Sequence, residues 1–119
     1  MMELQVRFKN ISDEEQREHF KETAVAKLED LNKFFRGSLR EGELTGDCMI
    51  EHTGKHPAFK VHVTILHRQG KIHKFEAVEV AEHAEEAINN ARNNLRNQIA
   101  NEKDSKNTLH KQDSMLNFV

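Results

Sequence analysis

Phe59-Lys60-Val61-His62-Val63-Thr64-Ile65-Leu66, followed closely by Arg68-Gln69-Gly70-Lys71, is the stretch that decides the fold. Phe59, Val61, Val63 and Ile65 share one parity, and Lys60, His62, Thr64 and Leu66 share the other. Side chains of a strand point alternately to its two faces, so this period of two predicts a half-buried strand. The Arg68-Gln69-Gly70-Lys71 turn then sends the chain back. Upstream, Gly54-Lys55-His56-Pro57 is another reversal, because Gly tolerates unusual dihedrals and Pro cannot donate to a ladder. Before it, Leu44, Gly46, Cys48 and Ile50 alternate with Thr45, Asp47, Met49 and Glu51, which predicts a further strand. Strands joined by tight turns make an antiparallel meander. Its last member runs from residue 72 to about 78 or 80, where Val78 and Val80 break the alternation and leave the register open.

Flanking segments complete the plan. Leu4, Val6 and Phe8 alternate with Glu3, Gln5 and Arg7, a first strand over residues 3–8. Ser12-Asp13-Glu14-Glu15 reads as a capping box, with Ser12 as the cap and acids in the first turn where the helix dipole favours them. Phe20, Ala24, Leu28, Leu31 and Phe35 then recur at helical spacing, predicting a helix over residues 13–35 that ends near Gly37. Residues 81–103 lack Gly and Pro and place Ala84, Ile88, Ala91, Leu95 and Ile99 on one stripe, a second helix. Five asparagines (89, 90, 93, 94 and 97) each lower its propensity by up to ~0.7 kcal/mol relative to Ala, so burial of the stripe must hold it. The expected fold is α+β: a two-layer β-α-β-β-β-α domain over residues 1–103, a four-stranded sheet with two helices packed on one face and the other face in water. Residues 104–119 are expected to be a flexible C-terminal tail.

Composition bounds the function. A chain of 119 residues, 36% hydrophobic and 32% charged, with a mean hydropathy of −0.81, is one polar domain with a thin core. No apolar run approaches the ~18–20 residues that cross a bilayer, and the first residues do not read as a secretory signal, so a cytoplasmic protein without a membrane partner is expected. Cys48 stands alone, which excludes an intrachain disulfide and a Cys-based zinc site. Gly-rich phosphate loops, Gly-x-Ser-x-Gly elbows and carboxylate pairs in apolar surroundings are missing, so neither an enzyme, a cofactor nor a small-molecule substrate is expected. Of eight histidines, His52, His56, His62, His67 and His73 lie close in sequence. His62 and His73 are candidates to approach across a hairpin, but a third ligand and a second shell are lacking, and no metal site is expected. Histidine protonation near pH ~6.5 would instead add charge to a basic surface.

The formal net charge of −2 conceals an uneven distribution. Residues 55–74 hold Lys55, Lys60, Arg68, Lys71 and Lys74 with no Asp or Glu, a local charge of +5. Lys60 points off the core face, Lys74 lies on the next strand and Lys71 on the turn, so a patch across the open sheet is expected that could contact RNA phosphates without reading sequence. The plainer alternative is a solvated face whose lysines discourage aggregation. On the second helix Arg92 and Arg96, four residues apart, share a face beside Asn89, Asn93 and Asn97, whose amides can donate to phosphate or ribose; the helix dipole alone also favours arginines there.

The chain resembles the ribosome hibernation-promoting factor and ribosome-associated inhibitor family (RaiA/YfiA type) over roughly residues 2–103. The carriers are Leu4-Gln5-Val6-Arg7-Phe8, Lys27-Leu28-Glu29-Asp30-Leu31-Asn32-Lys33-Phe34, and Ala87-Ile88-Asn89-Asn90-Ala91-Arg92-Asn93-Asn94-Leu95-Arg96-Asn97-Gln98-Ile99. Family members commonly read Ala-Ile-Asp, three variable residues, Asp-Lys-Leu, then a basic stretch ending in Gln-Leu. Here Asn89 and Asn93 stand where the family often has Asp, Asn94 and Asn97 where it often has Lys or Arg, and Glu85 where a Tyr is usual. The resemblance implies a β-α-β-β-β-α fold, binding to the small ribosomal subunit near the decoding region, exclusion of messenger and transfer RNA, and no chemistry of its own. Longer members carry a further C-terminal domain, so pairing of ribosomes by this chain alone is not expected.

These readings converge on a non-catalytic factor bound to small-subunit ribosomal RNA through Lys60, Lys71, Lys74, Arg92 and Arg96, with Lys27 and Lys33 of the first helix at the rim, the cations gathering on one surface. The alternative is a protein-interaction module of the same fold that has lost ribosome binding, favoured by the acidic net charge and the asparagines. Met115-Leu116-Asn117-Phe118-Val119 is a candidate element for homo-oligomer formation or docking, with a frayed end as the simpler reading.

Overall fold

The computed structural model describes residues 2–35 and 43–116, the side chains of residues 69 and 103–116 excepted. The chain runs β1 (Glu3–Lys9), α1 (Glu14–Glu29) with a 3-10 extension (Asp30–Phe34), β2 (Leu44–His52), β3 (Phe59–Gln69), β4 (Lys71–Ala81) and α2 (Ala84–Leu116). The sheet order is β1-β2-β3-β4. β1 is parallel to β2, which requires a crossover, and α1 supplies it; β2, β3 and β4 form the expected antiparallel meander. The α+β architecture read from the sequence is the one observed.

Alternation decides which face meets the helices. Leu44, Cys48 and Ile50 of β2, Val61, Val63 and Ile65 of β3, and Phe75, Ala77 and Ala81 of β4 are buried with Phe20, Ala24, Leu28, Leu31 and Phe35 of the first helical segment and Ala84, Ala87, Ile88, Ala91, Leu95 and Ile99 of α2. This single apolar cluster is what removal from water stabilises, at roughly 25 cal/mol per Å² of apolar surface. The register of β4, open in the sequence, is settled by Ala77 and Ala81 facing inward while Val78 and Val80 stand 47% and 51% exposed on the open face. Phe75 shares the inward parity with these alanines, and Lys74 and Glu76 share the outward parity with the valines.

Three local features differ from expectation. The cap of α1 is Asp13, not Ser12: the Asp13 carboxylate accepts the Glu15 amide at 3.1 Å and its carbonyl accepts the Arg17 amide at 3.0 Å. Ile11 is buried just ahead of it, and anchoring that side chain sets where the chain enters the helix. The helix tightens to 3-10 geometry at Asp30, which still delivers Leu31 and Phe35 to the core. α2 continues to Leu116, beyond the end expected at residue 103, so the backbone of residues 104–116 is helical. Of the terminal apolar cluster, residues 117–119 lie outside the described residues, as does Gly37. Positive φ is confined among the described residues to Gly54, Gly70 and Asn10, and the first two sit in the turns that make the meander.

Candidate nucleic-acid interface

The open face of the sheet is a grid whose rows follow from the strand registers. Glu3, Thr45, Leu66 and Lys74 form one row; Gln5, Asp47, Thr64 and Glu76 the next; then Arg7, Met49, His62 and Val78; then Lys9, Glu51, Lys60 and Val80. Lys60 and Lys74 therefore do reach this face, but carboxylates are interleaved with them. Lys60 lies opposite Glu51, and the Lys74 ammonium is 3.4 Å from the Glu76 carboxylate. Arg7 is held by Asp47 in a two-pronged pair, at 2.9 Å from Nε and 2.6 Å from Nη2; that hydrogen bond and the opposite charge raise the pKa of Arg7. Hydrogen bonds from His62 and then Lys74 hold the Glu76 carboxyl below its ordinary range. Lys71 is exposed beside the Gly70 turn and makes no ion pair among the described residues.

Arg92, Arg96, Lys27 and Lys33 belong to the helical layer on the other side of the sheet. One uniform surface uniting all seven cations is thus not formed: helix packing on a single sheet face separates Lys60 and Lys74 from the helical four. Within the helical layer a tighter set exists. Asp30, at the junction of α1 and its 3-10 extension, accepts Arg92 Nη1 of α2 at 3.3 Å and lies 3.3 Å from the Lys33 ammonium. Arg92 Nη2 donates to Asn89 at 3.2 Å, which fixes the guanidinium at the seam between the helices with only 21% of the side chain exposed. Arg96 follows one turn along α2, and Lys27 precedes Asp30 by three residues; both are exposed and without an ion pair among the described residues. Four cations against Asp30 and the neighbouring exposed Glu29 leave the seam an excess of about +2, whereas Arg7, Lys9, Lys60, Arg68 and Lys74 of the open face are interleaved with Glu3, Asp47, Glu51 and Glu76, an excess of about +1.

Several histidines are tied to carboxylates: His19 to Glu85, His56 to Glu82, His62 to Glu76 and His73 to Glu102. The pairing of His62 with His73 considered from the sequence does not occur. The residues have opposite parity, and His67 is the register partner of His73, with ring centroids 6.2 Å apart. Among the described residues no group of three or more His, Cys, Asp or Glu side chains is arranged to hold a metal ion. Burial, then the charge of Asp47, pushes the Cys48 thiol up to about 12, leaving it protonated and inert at neutral pH. No described helix is long and apolar enough to cross a membrane.

Fold and seam together define a small two-layer α+β domain that offers charge on its helical side. The chain belongs to the sigma 54 modulation protein / S30EA ribosomal protein family, whose sequence pattern matches residues 4–107. Among solved structures it is similar to the N-terminal domain of Protein Y from Thermus thermophilus, with 17% identity and a TM-score of 0.58 over 82% of this chain and 96% of that one. It is also similar to a ribosomal subunit interface protein from Coxiella burnetii, with 12% identity and a TM-score of 0.49 over 87% of this chain and 98% of that one. No curated protein matches the chain by sequence.

Proposed function

We propose that this chain is a non-catalytic ribosome-associated factor that docks on small-subunit ribosomal RNA and silences translation by steric exclusion. The observation that carries the reading is the helical seam, where Lys33 and Arg92 meet at Asp30 and Lys27 and Arg96 stand exposed on the adjoining turns of the same two helices, on a domain of a ribosomal-protein family. Phosphate contacts from such a cluster position a protein on RNA, and the amides of Asn89, Asn93 and Asn97 on the same helix add donors for phosphate or ribose. Lys60, Lys71 and Lys74 are assigned a lesser role, as contacts from the sheet side whose charge is partly offset by Glu51 and Glu76.

The second reading, a protein-interaction module without ribosome affinity, draws on that near-neutral open face with its exposed Ile72, Val78 and Val80. Co-sedimentation with ribosomes at rising salt separates the two. Association at low salt that fades steeply supports the RNA-binding factor, because each neutralised phosphate releases counterions. Absence of association even at low salt supports the interaction module.

A further inference from the structure

β4 forms one rim of the sheet, so half of its backbone groups point away from β3. Gln98 of α2 identifies which half. Its Nε2 donates to the Glu76 carbonyl at 2.7 Å and its Oε1 accepts from the Glu76 amide at 3.4 Å. Glu76 therefore turns its backbone outward. The β3–β4 register runs without a slip from Phe59 opposite Ala81 to Gln69 opposite Lys71, so Lys74, Val78 and Val80 turn outward as well. The same parity is visible across the sheet, where the Arg68 amide bonds to the Glu43 carbonyl on the β2 side at 2.7 Å.

A glutamine amide that donates and accepts at one residue reproduces the pair of bonds that a neighbouring antiparallel strand would make there. Asn94, one turn earlier, braces it: Gln98 Nε2 donates to Asn94 Oδ1 at 2.9 Å, and Asn94 Nδ2 donates to the Glu79 carboxylate at 3.0 Å. The rim so guarded is a long, regular strand whose open-face side chains include the exposed Ile72, Val78 and Val80. An unguarded edge of this kind is a template for another strand.

The strand it fits is a second copy of β4. Antiparallel pairing about a two-fold axis at Val78 would set Val78 against Val78 and Glu76 against Val80 of the second copy, and would bring Lys74 to Glu82, the first residue past β4 and a partner of His56, so that opposite charges lie together at each end. An axis at Glu76 would oppose two glutamates, and one midway between residues 78 and 80 would oppose Glu76 and Glu82. The register about Val78 needs the outward groups of Glu76, which Gln98 occupies. We propose that Gln98, braced by Asn94, is an edge guard that stands in for a missing strand and keeps two copies of this chain from pairing through β4 about Val78.

Sedimentation velocity of the full chain over a wide concentration range, with amide hydrogen exchange at Glu76, tests this. The wild-type chain is expected to show no self-association through β4 and a protected Glu76 amide. Gln98→Ala is expected to form a dimer that grows with concentration, and Val78→Lys added to it to restore the monomer by opposing two lysines at the axis. At low concentration, Gln98→Ala should exchange the Glu76 amide about tenfold faster, the order expected for one net hydrogen bond. Gln98→Met retains the aliphatic stem and should dimerise likewise if Gln98→Ala folds poorly. An unprotected Glu76 amide in the wild-type chain, Gln98 variants that stay monomeric, or a dimer indifferent to Val78→Lys would each overturn the proposal.

Discussion

Removing the seam cations and removing the sheet cations should have different consequences, and the size of the difference follows from the charge layout. The seam variant is Lys27→Ala, Lys33→Ala and Arg96→Ala together, sparing Arg92 because its guanidinium joins the helices through Asp30 and Asn89. The sheet variant is Lys60→Ala, Lys71→Ala and Lys74→Ala. With a slope of about −0.7 per neutralised phosphate on single-stranded nucleic acid, a seam excess of about two cations gives about −1.4, a fall in affinity of roughly sevenfold between about 50 and about 200 mM salt. Losing Lys27, Lys33 and Arg96 leaves Arg92 offset by Asp30 and should bring the slope close to zero. The sheet variant should change the slope by no more than about 0.7, since Lys74 is paired with Glu76 and Lys60 lies opposite Glu51. Fluorescence anisotropy with labelled protein and purified small subunits, titrated at several salt concentrations, reads both slopes. A sheet variant that flattens the salt dependence while the seam variant keeps it would refute the assignment.

Other expectations concern the scaffold and its titration. Leu95→Ala empties a fully buried position of α2 and should cost about 2–5 kcal/mol in urea unfolding; a loss under about 1 kcal/mol would show that the site is not packed as described. Asp13→Ala should cost about 0.5–2 kcal/mol through loss of the helix cap, with Ser12→Ala costing clearly less; the reverse ranking in the same assay would restore Ser12 as the cap. Glu76 is held below its ordinary 4.5 by His62 and then Lys74, so its contribution is present above that value and is lost as pH falls through its lower value in the fold. The melting temperature of Glu76→Gln should accordingly lie below that of the wild type near neutral pH and converge with it in acid; a gap that widens in acid contradicts the pairing.

What could be read in the sequence was whatever depends on local periodicity. The alternation of Val61, Val63 and Ile65 and the stripe of Phe20, Ala24, Leu28, Leu31 and Phe35 are each decided within a few turns or pleats, and all of these residues are buried. The register of β4 was open in the sequence because Val78 and Val80 are as apolar as a core row; burial of Phe75, Ala77 and Ala81 on one parity puts them outward with Lys74 and Glu76. The charge layout was legible only in part. That Lys74 and Glu76 share a face follows from their parity, but Lys60 beside Glu51 depends on the pairing of β2 with β3. Arg92 on Asp30 joins residues 62 positions apart, which no spacing reveals. The edge contact of Gln98 with Glu76 left no signal either, beyond a glutamine among asparagines on a helix that tolerates them poorly.

In the proposed function the helical seam, not the open sheet, faces ribosomal RNA. Because Cys48 is buried with its thiol pushed up to about 12, it should resist labelling, and a cysteine introduced at Arg96 or at Thr64 in the middle of the open face can carry a tethered iron chelate. Cleavage of small-subunit ribosomal RNA from position 96, with little or none from position 64, is the expected result. Cleavage from position 64 alone, or from neither position under conditions where both labelled proteins remain folded, would contradict it.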